Sequence, residues 1–180
     1  QLMHYLLAFD LLKSAGVESD SLEDAKYRLQ IFARNMYRKC NNWGGIFGGR
    51  DNHSLMAASA IGLAAIVLND CGYSKNRKKS YHPETWIDAA LFNIEKTLWD
   101  CNNPQSTKGA IAGYAEGPVY FCYAMENMLP FVMALANFIQ EDRAFECEYK
   151  KIYSTLEVRN FLYDPDFANL AVWLRDIMQP

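Results

Sequence analysis

The chain has 180 residues, a formal net charge of −3, 51% hydrophobic residues and 14% aromatic residues. This length is sufficient for one domain with a sizeable core, and this composition excludes an intrinsically disordered chain. The overall charge excludes a strongly basic nucleic-acid-binding protein. The basic cluster in the segment that runs from Lys75 to Lys79 is interpreted as a solvated loop, or alternatively as a surface that attracts a polyanion.

The first third of the chain has the apolar spacing of α-helices. Residues 1–15 predict a helix that ends at Gly16. Asp20 and Glu23 form a capping-box-like start for a second helix over residues 21–41. The predicted buried positions of these two helices are Leu2, Leu6, Phe9, Leu12, Leu22, Ala25, Leu29, Phe32, Ala33 and Met36.

A glycine-rich loop from Asn41 to Arg50 precedes the third predicted helix, which runs from about Asn52 to Asn69. This helix is rich in alanine and apolar on nearly every side. Such a helix is expected to be buried among other helices, with close approach of the backbones. Asn52 and His53 are polar residues at the start of this otherwise apolar segment, and they raise the question of a functional site.

The rest of the chain continues the helical pattern. His82-Pro83 predicts the start of a helix that reaches about Asp100. A long loop from Cys101 to Pro118 precedes an apolar helix over residues 119–140, with a kink expected at Pro130. Residues 148–161 are predicted to form a weaker helical segment, and Asp164-Pro165 starts the last helix. The predicted class is all-α: residues 1–180 form a single helical domain of about seven helices with no sheet, in which the third and fifth helices lie innermost.

Membrane-spanning and metal-binding functions have no support in the sequence. No apolar run reaches the ~20 residues of a membrane span. The five cysteines have no Cys-x-x-Cys spacing and no histidine partners at ligand spacing, so they predict buried small side chains and no metal site. We expect no cofactor.

Two short motifs stand beside the third and fifth predicted helices. The residues are Asn41-Asn42-Trp43 with Asn52-His53, and Glu116-Gly117-Pro118 with Tyr120 and Tyr123. In this order they resemble motifs in the toroid domain of heparinase II/III-like and alginate-lyase-like polysaccharide lyases. The resemblance implies an incomplete (α/α) toroid built of helical hairpins. It also implies a fragment of a larger periplasmic or secreted toroid-plus-β-sheet protein, in which a downstream domain completes the site.

Lyases of this kind cleave uronate-containing polysaccharides by β-elimination: a base removes the proton next to the carboxylate, and an acid protonates the leaving oxygen. The resemblance implies that Asn52 stabilises the developing negative charge as a neutral donor. It implies that His53 is the base. Tyr120 is the first choice for the acid and Tyr123 the second. The two residues are three apart and share a helix face, so the sequence alone does not separate them. The expected contacts to the acidic polysaccharide come from Trp43, Arg50, Tyr114 and Glu116.

Other functions are also compatible with the sequence. A glycoside hydrolase on a related helical toroid requires two facing carboxylates, for which Glu116 and Asp51 are candidates. A non-catalytic carbohydrate-binding or scaffold domain requires neither set. Each site residue also has a structural alternative: Asn52 as a helix N-cap, His53 as a structural histidine, and the two tyrosines as core residues. Glu116 would then fix its loop through backbone hydrogen bonds, and Asp51 would cap the third helix.

Overall fold

The computed structural model describes residues 1–41, 46, 51–70, 82–101, 113–137, 144–147 and 156–178. Helices dominate these ranges, which confirms the all-α class. The α-helices are α1 (Leu2–Ser14), α2 (Asp20–Asn41), α3 (Asn52–Val67), α4 (Pro83–Glu95), α5 (Pro118–Leu135) and α6 (Pro165–Met178). A π-helical turn continues α4 over Lys96–Cys101, and a 3-10 turn spans Phe161–Tyr163.

The helix boundaries follow local backbone chemistry. Gly16 lies just beyond the end of α1 with a φ of 74°, a left-handed conformation that glycine adopts without a steric penalty. Pro83 occupies the first turn of α4 directly after His82, as predicted. At the start of α2, the Ser19 hydroxyl accepts a hydrogen bond from the backbone N–H of Leu22 at 3.2 Å. Ser19 therefore supplies the capping oxygen that the sequence analysis placed on Asp20.

Helices α1, α2 and α3 alternate in direction. Asp70, just beyond α3, accepts hydrogen bonds from Lys13 near the end of α1 (2.8 Å) and from Lys26 near the start of α2 (3.2 Å). Partial burial raises the pKa of Asp70, but the two lysines together lower it by more than burial raises it, so the net shift is downward. These bonds place the ends of α1 and α3 beside the start of α2, so α2 is antiparallel to both.

Helices α3 and α5 run in the same direction. The backbone N–H of Asn52 donates to Glu116, which lies just before α5, while Gly62 faces Phe131 in the second half of both helices. A Cβ added at Gly62 would lie 2.5 Å from the Phe131 ring and 2.9 Å from Cβ of Ala90 on α4. The missing side chain at Gly62 therefore allows α3, α4 and α5 to pack closely together.

Burial differs between the two helices that were predicted to lie innermost. Most of α3 is buried, as its alanine-rich sequence predicts. Helix α5 buries Phe121, Met128 and Phe131 against the core, but Val119 and Met133 are exposed on its other side. The prediction of an inner helix is thus confirmed for α3. It is wrong for the exposed side of α5 in the described structure, because apolar composition alone does not specify how many neighbours a helix has.

Residues 144–147 and 156–159 form strands that the sequence analysis did not predict. Strands β1 (Ala144–Cys147) and β2 (Leu156–Arg159) form an antiparallel pair that places Phe145 opposite Val158. The prediction of no sheet and the helical prediction for residues 148–161 are therefore wrong where β2 lies. Leu156 and Val158 alternate with charged residues, which is the period of a strand and not of a helix. The prediction of about seven helices becomes six α-helices within the described ranges.

Two predicted core residues of the first helices lie at the surface. Leu12 on α1 and Phe32 on α2 are exposed over 48% and 41% of their surface, whereas Leu6 and Ala33 are buried. Helical spacing identifies a stripe, but the neighbouring helices cover only part of its width. Among the helices that the structure describes, none combines the length and apolar character required to cross a lipid bilayer.

Candidate functional site

The first turn of α3 is fixed by polar contacts. Asp51 is the N-cap, and its Oδ1 accepts a hydrogen bond from the backbone N–H of Ser54 at 3.0 Å. The Ser54 hydroxyl donates to the carbonyl oxygen of Ile46 at 2.6 Å. The capping role predicted for Asp51 is confirmed, and Asn52 is the first residue within the helix instead of its cap.

Glu116 connects the start of α3 with the turn before α5. Its Oε2 accepts a hydrogen bond from the backbone N–H of Asn52 at 2.7 Å and another from the Tyr114 hydroxyl at 3.0 Å. A carboxylate at this position also interacts favourably with the positive end of the α3 dipole. Glu116 therefore fixes the loop through a backbone hydrogen bond, as its structural interpretation predicted.

Tyr114 supports this carboxylate from the protein interior. The residue is 4% exposed, and burial raises the pKa of its hydroxyl, with further increases from the hydrogen bond to Glu116 and from the charges of Glu116 and Asp51. The hydroxyl consequently remains a neutral donor. The buried position of Tyr114 argues against the substrate contact that the sequence analysis assigned to it.

Close packing and backbone geometry hold the turn before α5. Gly117 has a φ of 86° and precedes Pro118, the first residue of α5. Gly113 has a φ of 97°, and a Cβ there would lie 2.5 Å from the Trp173 ring. Phe121 packs against Trp173 with ring centroids 5.7 Å apart. Helix α6 thereby supports the turn that carries Glu116.

A groove of about 620 Å³ lies beside the start of α3. Residues from α1, α2, α3 and α5 line it, together with Ile46. The polar lining residues are Gln1, His4, Asn35, Lys39, His53 and Asn127, and the apolar ones include Met3, Met36 and Met56. His53 is exposed and faces this groove, so the structure offers no buried structural role for its imidazole.

Tyr120 and Tyr123 are exposed on α5, at 52% and 48% of their surface. The alternative that they are core residues is therefore wrong. Neither tyrosine lines the groove directly, but Asn127 does, and its side-chain amide donates to the carbonyl oxygen of Tyr123 at 2.9 Å. Residues at positions 120, 123 and 127 share one face of a helix. Along the α5 axis, Tyr120 is about 10 Å and Tyr123 about 6 Å from Asn127.

The other predicted site residues have different positions. Asn52 is only 3% exposed, so its amide is largely buried while the neighbouring His53 is accessible. Trp43 and Arg50 lie outside the described residues, as does the basic segment around Lys75. The structure thus brings Asn52, Glu116 and Tyr114 together at one junction and places His53 in the adjacent groove.

The arrangement of carboxylates does not favour a glycosidase. Asp51 and Glu116 both act as hydrogen-bond acceptors at the start of α3, and no aspartate or glutamate is among the described residues that line the groove. A hydrolase of this class needs one carboxyl group on each side of the scissile bond. Within the described residues, no three histidine, cysteine or acidic side chains are arranged to hold a metal ion.

Sequence reasoning missed the part of the groove that α1 and α2 form. His4, Asn35 and Lys39 belong to α1 and α2 and carry no motif, and His4 was assigned no function. Their common location depends on the antiparallel pairing of α1 and α2, which brings the start of one helix to the end of the other. No signal in the sequence marks these three residues.

Comparisons of the chain with models of protein families, with curated proteins and with solved structures found no match.

Proposed function

We propose that the chain is the helical part of a polysaccharide lyase that cleaves an acidic, uronate-containing polysaccharide by β-elimination. The observation that carries the proposal is the accessible imidazole of His53 in a groove whose wall includes α5, the helix with two exposed phenols. The motif resemblance of the two helix starts adds to it. Glu116 connects the two helix starts by its hydrogen bond to the backbone of Asn52, which limits movement of the helix that carries His53 relative to the helix that carries the two phenols.

The helix directions support an (α/α) toroid, the fold that the resemblance implies. Such a toroid is built of helical hairpins, so that inner helices run parallel to one another and antiparallel to the outer ones. The contacts of Asp70 make α1 and α3 parallel and α2 antiparallel, while the contacts of Asn52 and Gly62 make α3 and α5 parallel. The mostly buried α3 then corresponds to an inner helix.

The proposed reaction assigns one step to each group. His53 removes the proton from the carbon that bears the carboxylate, and the electron pair left behind forms a carbon–carbon double bond as the bond to the leaving oxygen breaks. That oxygen takes a proton from the hydroxyl of Tyr120, or of Tyr123. Tyr120 is the better candidate by its position along the helix axis, because it lies in the first turn of α5 and His53 lies in the first turn of the parallel helix α3.

The proposal is tested by the appearance of ultraviolet absorbance from unsaturated uronate when the chain is incubated with polymannuronate. His53→Gln is expected to abolish the signal, because the variant side chain cannot accept the proton. Tyr120→Phe and Tyr123→Phe each remove a single exposed hydroxyl, so one of them should reduce the rate at least tenfold while the other serves as its matched control. Full activity in His53→Gln would refute the assignment.

A carbohydrate-binding domain without catalysis is the second candidate, and one observation favours it. Asn52 is 3% exposed, so its amide has little access to a substrate carboxylate in this conformation. A binding domain needs the groove but not this amide. Saturable binding of polymannuronate oligosaccharides without any ultraviolet signal would establish this second function.

A further inference from the structure

The part of the groove wall that α1 and α2 form carries its own polar groups. His4 on the first turn of α1 and Lys39 near the end of α2 are exposed and line the groove together with Asn35. These residues take no part in the elimination proposed above. They line one groove because α1 and α2 are antiparallel, and α3 contributes His53 and Met56 to the same groove.

The charged groups on this wall are cationic. Lys39 is cationic and His4 can become so, whereas no carboxylate is among the described lining residues. Within the part of the chain that the structure describes, no carboxylate forms an ion pair with His4 or Lys39. A cationic wall in a chain of net charge −3 is complementary to an anion.

The remainder of the lining suits a sugar chain. Met36 and Met56 provide apolar surface for the faces of sugar rings, and the amides of Asn35 and Asn127 can bond hydroxyl groups. The volume of about 620 Å³ is within the range of ligand-binding clefts. The groove therefore extends beyond the sugar whose proton His53 would remove.

We propose that His4 and Lys39 form a subsite that binds the carboxylate of a second uronate unit, next to the unit at His53. This inference rests on the proposed function for the identity of the sugar, but the binding step does not require catalysis. Lys39 contributes a direct ion pair, and His4 contributes a hydrogen bond that strengthens when its imidazole is charged. The subsite thereby selects acidic over neutral sugar chains.

Titration calorimetry of the 180-residue chain tests the subsite with two probes: a mannuronate tetrasaccharide and the same tetrasaccharide with its carboxylates reduced to alcohols. We expect wild-type protein to bind the acidic probe more tightly than the neutral one. Lys39→Met and His4→Gln should each weaken binding of the acidic probe about fivefold, as for one solvent-exposed charged contact. Neither should change binding of the neutral probe. Arg28→Gln is the matched control, because it removes a charge from α2 outside the groove.

Several results would overturn the inference. Equal affinity of wild-type protein for both probes would do so, and so would equal losses for both probes in Lys39→Met, because the residue would then supply contact area and not charge recognition. An unchanged affinity for the acidic probe in both variants would also refute it. If charge-dependent binding is found but no unsaturated product forms, the subsite stands and the proposed lyase activity fails.

Discussion

The junction between α3 and α5 gives a quantitative prediction, because two donors share one carboxylate oxygen. Replacing Glu116 with alanine removes its hydrogen bonds to the backbone of Asn52 and to the hydroxyl of Tyr114. The hydroxyl is buried, so leaving it without its acceptor costs about 1–3 kcal/mol of unfolding free energy. We expect Glu116→Ala to destabilise the protein by about 2 kcal/mol, after allowance for the exposure of the glutamate itself.

Tyr114→Phe removes the donor from the same bond and should cost only about 1 kcal/mol, since water can satisfy the exposed carboxylate. In the double variant the buried hydroxyl is no longer present, so the loss of Glu116 is less damaging. The expected coupling energy between the two positions is about 1 kcal/mol.

Urea unfolding followed by far-ultraviolet circular dichroism measures all four corners of this cycle. Glu126→Ala combined with Tyr114→Phe is the control cycle, because Glu126 is an exposed glutamate on α5 outside the junction. The control should be additive. Additivity within about 0.5 kcal/mol for the Glu116 cycle as well would refute the proposed hydrogen-bonded junction.

Three further results are expected. Gly62→Ala should lower the free energy of unfolding by about 1–2 kcal/mol, because the added Cβ collides with the buried ring of Phe131. This loss is expected despite the better helix propensity of alanine, and unchanged stability in urea would contradict the close packing. Asp70 has a lowered pKa in the folded state, so its ion pairs contribute stability at pH values above 3.8, the ordinary pKa of the carboxyl group. This contribution is lost as the pH falls through the lowered pKa of the folded state. Asp70→Asn should therefore cost about 0.5 kcal/mol at neutral pH and progressively less as the pH falls below 3.8, and a cost that does not change with pH would argue against the ion pairs. Burial raises the pKa of the Cys40 thiol to about 11, whereas Cys122 is exposed. Iodoacetamide at mildly alkaline pH should therefore alkylate Cys122 before Cys40, as followed in peptide mass spectra. Faster modification of Cys40 would contradict the packing around α2.

Local chemistry made several helix boundaries predictable. Gly16, Pro83 and Pro165 mark the helix ends and starts that the sequence analysis assigned to them. The buried character of α3 was also predictable, since an alanine-rich segment with no polar face has few alternatives to the interior. Strand β2 was missed because four residues are too few to outweigh a helical pattern in the surrounding chain, although Leu156 and Val158 do alternate with charged residues.

The site was only partly predictable, because its parts meet through the packing of distant segments. The motifs indicated Glu116 and Asn52, but their hydrogen bond joins residues 64 positions apart. Periodicity places Tyr120 and Tyr123 on one helix face without specifying whether a neighbour covers it. His4 and Lys39 have no motif at all, and they lie together only because α1 and α2 are antiparallel.

The mass of the cleavage products tests the central claim most directly. Beta-elimination adds no water across the broken bond, so every new non-reducing end should lack the mass of one water relative to a hydrolysis product. We predict such unsaturated fragments when polymannuronate is incubated with the chain, and none when His53→Gln replaces it. Fragments that carry the added water, or an intact polymer despite tight binding, would contradict the lyase account.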